Sequence, residues 1–136
     1  MKKMNKKGFT LIEMLVVIAI IAVLVSIVIP VVGSATEKAK EAADVANIRS
    51  AVAEITTTAL ANGGTPSKTV DMTQGTAGFV TEITSIGGIS GNPTTADTDC
   101  YKIAQAIKGK TVTLTWTPAT TGVEAHVAVS VGNTPT

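Results

Sequence analysis

The chain has little from which a catalytic centre could be built. Among its 136 residues there is one histidine, one cysteine and one arginine. No G-x-S-x-G elbow, H-E-x-x-H pair or Walker A loop occurs, so the common signatures of hydrolase, zinc-protease and nucleotide chemistry are missing. Cys100 stands alone and excludes an internal disulfide, the staple on which many small exported domains rely. It reads as a half-buried thiol without a role. His126 falls on the outward face of a predicted strand, a solvated position rather than that of a ligand or base. Arg49, the lone arginine, has no basic cluster around it. With Lys2, Lys3, Lys6 and Lys7 set aside, seven basic side chains face ten acidic ones, a balance of −3. A mildly acidic body of this kind does not bind nucleic acid through phosphate contacts. Neither a catalytic role nor a cofactor is expected.

What is present in abundance lies at the start. MKKMNKKGFTLIEMLVVIAIIAVLVSIVIP opens with a basic head and a glycine, then runs apolar from Phe9 to Ile29. Past Glu13, only Ser26 is polar in that run. A cleavable secretory signal has an apolar core of about 7–15 residues followed by a small-x-small site. This run approaches the roughly 20 residues that span a bilayer, and no A-x-A follows it. Lysines ahead of the span place the N-terminus in the cytoplasm and the remainder outside. On this reading, on the order of 75 residues are left for a small globular body, whose stability leans on the helix entering it.

Glu13 does not fit a simple anchor. A carboxylate in hydrocarbon costs about 2.5–3.5 kcal/mol at the centre of a span and less near its edge. In the first helical turn it faces the positive end of the helix dipole. A free α-amine on Phe9, created by cutting after Gly8, would give it a partner within the chain or on a neighbour. Pairing across chains would fix the axial offset between subunits, because misregistration leaves a charge unpaired in an apolar setting.

Gly8-Phe9-Thr10-Leu11-Ile12-Glu13-Met14, behind a lysine-rich leader and ahead of an apolar helix containing Pro30, resembles the class III signal peptide of type IV pilins. The resemblance covers the first 30 residues; Met14 stands where leucine is commoner. It implies cleavage after Gly8 by a prepilin peptidase and N-methylation of Phe9. It further implies assembly through Phe9, Thr10, Glu13 and Pro30 into a helical homopolymer, with a separate assembly platform and motor ATPases. The protein is expected as a single-pass membrane protein before assembly and in an extracellular filament afterwards. Asp97 and Asp99 are weak candidates for calcium, which some related pseudopilins bind; a solvated polar loop is the plainer reading of that D-x-D spacing. The disulfide-closed loop of many Gram-negative pilins has no counterpart here, so its role is not carried over.

Beyond Pro30, where a kink is expected, the pattern stays helical. Ala35, Ala39, Ala42, Val45, Ile48, Val52, Ile55 and Ala59 form an apolar seam with three- and four-residue spacing, and Glu37 and Glu41 are placed opposite it. Asn62-Gly63-Gly64 is a stop signal. Read as one rod, Phe9 to Ala61 would span about 80 Å. GGTPSKTVDMTQG reads as loop, whereas Phe79–Ile83 and Tyr101–Ile107 fit either helix or strand. Val112, Leu114 and Trp116 alternate with threonines in one strand, and Val123, Ala125, Val127, Val129 and Val131 continue the alternation in a second. Pro118–Gly122 is the turn between them.

The expected fold is α+β, a long helix with a small antiparallel sheet on its C-terminal half. Its parts are a leader (1–8), a membrane or filament-core helix (9–30), an amphipathic half (31–62) and a head (63–136). The leading reading is a structural subunit, a major one because Glu13 is intact and the body small, of a fibre serving adhesion, motility or aggregation. A pseudopilin of a secretion or DNA-uptake system is the alternative, and a membrane-anchored binding domain that never polymerises is a further one.

Overall fold

The computed structural model describes residues 8–79, 85–96 and 98–133. Five elements follow in order: α1 (Leu11–Asn62), β1 (Ser67–Asp71), α2 (Asp99–Gln105), β2 (Lys110–Thr117) and β3 (His126–Asn133). The chain divides into two compact units, with the boundary between Ala35 and Thr36.

In the first unit, every large apolar side chain from Phe9 to Val32 is exposed. Burying such a side chain is worth roughly 1.5–3 kcal/mol, so the segment needs a cover of lipid or protein. α1 runs unbroken through Pro30. The proline has no N–H to donate to the Ser26 carbonyl, and the Ser26 hydroxyl donates to the Val23 carbonyl at 2.7 Å. Among the described residues, α1 is the one helix long and apolar enough to cross a membrane.

The second unit is an α+β body in which the C-terminal part of α1 packs on an antiparallel sheet of order β1-β2-β3. β2 pairs with β1 through Leu114↔Lys68 and Val112↔Val70, and with β3 through Leu114↔Val129 and Trp116↔Val127. Ile48, Val52 and Ile55 of α1 meet Val112, Leu114, Val127 and Val129 in one core, which Ile86, Cys100 and Ile103 complete. α1 stops where the glycines predict. Gly63, at φ +69°, donates its N–H to the Ala59 carbonyl at 2.8 Å.

The N-terminal part of the predicted seam is corrected. Ala35, Ala39 and Ala42 are exposed, and the face turned inward carries Glu37, Glu41 and Asp44, the last two fully buried. Spacings of four and three continue from these acids into Ile48, so the carboxylates lie on the helix face that becomes apolar one turn later. Their cover is the loop after β1. Asp44 accepts from the Thr73 N–H (2.9 Å), the Thr73 hydroxyl (2.7 Å) and the Gln74 N–H (2.9 Å). Glu37 accepts from the N–H groups of Gly75 and Thr76, the latter at 2.8 Å. Four consecutive backbone donors are thereby satisfied by helix carboxylates, the buried Gln74 amide among them. On the loop's other side, the Gln74 side-chain amide donates to the Ala104 and Ala106 carbonyls at 3.0 and 2.7 Å.

Other boundaries differ from expectation for physical reasons. The stretch read as a loop contains β1, where Val70 is the single apolar residue and pairing with β2 makes the strand. The ambiguous Tyr101–Ile107 region is α2, started by Thr98, whose hydroxyl accepts the Tyr101 N–H at 3.2 Å. Phe79 packs on the core, while residues 80–83 of its predicted element lie outside the described residues. β3 begins at His126 rather than Val123, because the turn is longer and holds a Thr120↔Val123 bridge. Val127 and Val129 face inward as the alternation predicts; Val123 and Val131 are exposed.

Candidate processing and assembly site

The site is built where coil becomes helix. Gly8, Phe9 and Thr10 are non-helical, and Leu11 is the first helical residue. Thr10 is therefore the N-cap and Glu13 the third helical residue. The Glu13 carboxylate accepts the Thr10 N–H at 2.7 Å, and the Thr10 hydroxyl accepts the Glu13 N–H at 3.3 Å. This reciprocal pair is a capping box, in which threonine and glutamate three apart satisfy two backbone donors that a helix start leaves free. The acid also sits in the first turn, against the positive end of the helix.

The sequence reading named both residues but missed their mutual bond. Its signal was available: T-x-x-E immediately ahead of an apolar run. The consequence is chemical. While the chain is uncut at Gly8, the Glu13 carboxylate is not bare, because its own helix start supplies a charge-assisted hydrogen bond. A Cβ built at Gly8 meets nothing within 4 Å, and the glycine's φ is not among the positive ones. Phe9 is 81% exposed. The leader lysines, residues 2, 3, 6 and 7, lie outside the described residues. Pro30 lies within α1, away from this constellation in sequence.

The remaining candidates do not form a second site. Asp99 opens α2 and pairs with Lys102 at 2.7 Å; Asp97 lies outside the described residues. Among the described residues, no three of His, Cys, Asp and Glu gather to hold a metal. Cys100 is fully buried rather than half-buried, and burial pushes its thiol pKa up, away from the reactive thiolate. His126 is exposed, with Nδ1 3.1 Å from the Glu124 carbonyl.

A family model described as the prokaryotic N-terminal methylation motif matches residues 3–29. No curated protein and no solved structure matches the chain. The matched residues contain Gly8, Phe9, the Thr10–Glu13 box and nearly all of the exposed apolar run. The match is confined to this N-terminal segment, which is similar to the prokaryotic N-terminal methylation motif.

Proposed function

We propose that the protein is a major subunit of an extracellular type IV pilus. The observation that carries this reading is a capped, wholly exposed apolar helix start placed directly after Gly8, within the methylation motif. Hydrolysis of the Gly8–Phe9 amide leaves a carboxylate on Gly8 and an ammonium on Phe9, which is then N-methylated. Nothing within the described fold requires glycine at position 8, which agrees with a demand made by the peptidase. Before assembly the Phe9–Pro30 segment holds the subunit in the membrane with its N-terminus in the cytoplasm. After assembly the same segments pack on copies of themselves in the fibre core, driven by an assembly platform and motor ATPases. Repeated non-closing contacts between identical subunits give a filament, and such a fibre would serve adhesion, motility or aggregation.

In this scheme Glu13 has two successive partners. It caps its own helix in the precursor, and after cleavage it offers its carboxylate to the methylated amine of a neighbouring Phe9. Two substitutions separate these roles. Glutamine also completes a capping box, so Glu13→Gln keeps the cap and removes the charge, whereas Glu13→Ala removes both. Both variants should be cut after Gly8, and both should lower the yield of sheared filaments at least tenfold. A normal yield from Glu13→Gln would reject the ion pair and leave only the cap. Mass spectrometry of the wild-type filament should find N-methylated Phe9 as the first residue; a retained Met1 or Lys2 would sink the reading.

A further inference from the structure

The body grips α1 by two different chemistries. From Val45 to Ala59 the buried α1 side chains are apolar: Val45, Ile48, Ala51, Val52, Ile55 and Ala59. From Thr36 to Asp44 the buried ones are carboxylates, Glu41 and Asp44, with Glu37 beside them, and no apolar side chain of that stretch is buried. There Glu37 and Asp44 hold the consecutive N–H groups of Thr73, Gln74, Gly75 and Thr76. We propose that Glu37 and the N–H groups of Gly75 and Thr76 form a proton-sensitive latch, which opens in acid and frees this end of the loop from α1 while the apolar core stays closed.

The direction follows from donor and acceptor counting. An ionised carboxylate is acceptor-only and suits a row of N–H donors; a protonated one brings its own O–H and loses part of that capacity. Glu37 takes two hydrogen bonds from the loop, so its protonation sets donor against donor there. The Thr76 N–H, foremost, and the Gly75 N–H hold the Glu37 carboxyl below the usual carboxylate range, burial working against them. The charged neighbours are few. Lys40 of α1 lies 3.7 Å from Glu37, and Glu41 shares the same helix face. Asp71 closes β1 ahead of the loop, and Lys108, in the turn before β2, meets the loop through its backbone N–H, which donates to the Gln74 carbonyl at 2.7 Å. None of the Thr73–Thr76 side chains titrates, so the latch responds through Glu37. The core needs no such charge: Leu114, Val112 and Ile48 are fully buried hydrocarbon, and hydrophobic burial does not depend on pH in this range.

The test is amide hydrogen exchange on the full chain in detergent micelles, by NMR at pH 7 and near pH 2.5, corrected for intrinsic exchange. The Gly75 and Thr76 amides should lose protection at least tenfold on acidification, while the β2–β3 ladder keeps its protection. Gly75 and Thr76 amides that stay protected near pH 2.5, or that open together with the ladder, would overturn the latch. Glu37→Gln, which keeps an acceptor and removes the titration, should make protection of Gly75 and Thr76 independent of pH. A pH response retained there would place the sensor elsewhere and overturn the proposal.

Discussion

The two units solve one problem, where to put a carboxylate on a mostly apolar or buried helix face, in opposite ways. In the first, Glu13 is held by Thr10, three residues away, at the start of its own helix. In the second, Asp44 and Glu37 are held by a loop 29 to 39 residues further along the chain. The local solution needs no folded body and survives wherever the helix forms. The distant one exists only when the sheet, the loop and α1 have come together. The difference also separates the fates of the apolar side chains. The large ones from Phe9 to Val32 are all exposed within one chain and await a partner, whereas Val45, Ile48, Val52 and Ile55 are covered by the chain itself.

The largest effect should come from breaking the second unit's own cover. Ile48 is fully buried against the sheet, and Ile48→Ala should cost about 2–5 kcal/mol, as large-to-small core changes do. Ile18, on the same helix and 64% exposed, is the control. Ile18→Ala should leave the unfolding of the body unchanged in denaturant titrations of the detergent-solubilised chain. Equal losses from the two substitutions would mean that the apolar run helps to stabilise the body, and the contrast would collapse.

Next comes the long-range carboxylate. Asp44→Ala removes the acceptor from two backbone N–H groups and a hydroxyl, of which the Gln74 N–H is buried. An unsatisfied buried polar group costs roughly 1–3 kcal/mol, so a loss on the order of 3 kcal/mol is expected in the same titration. The counterpart in the first unit is smaller and local. Thr10→Ala should cost about 1 kcal/mol of helix-start stability, read as lost helical chemical shifts at Leu11–Glu13 with no change in the body. Thr10→Ser should restore them.

What could be read in advance follows the same division. The N-terminal helix, its motif and its stop at Gly63 were legible because each depends on neighbours within a few residues. Thr10-x-x-Glu13 was equally local, and was overlooked only because Glu13 was considered as a charge in lipid rather than as a cap. The β2 and β3 alternation was legible too, since Val112, Leu114, Val127 and Val129 repeat with a period of two. β1 was not: Ser-Lys-Thr-Val-Asp has a single apolar residue and becomes a strand by pairing with β2. Nor was the acid face of α1. Counting apolar residues favoured Ala35, Ala39 and Ala42, and nothing near them in sequence reveals that a loop thirty residues away would bring four bare N–H groups to the opposite side.

The smallest effect is the sharpest probe of that distant grip. Glu37 lies at its outer edge, and its carboxyl is held below the ordinary range, most by the Thr76 N–H. A carboxyl whose pKa falls on folding contributes stability that is fully present above its unfolded value, about 4.3. That contribution is lost as pH drops through the lower, folded value, because the unfolded chain then binds the proton first. The wild type should therefore exceed Glu37→Gln in denaturation midpoint at pH 6, and the gap should close as pH falls toward 3. A gap that stayed constant with pH would reduce Glu37 to a packing residue.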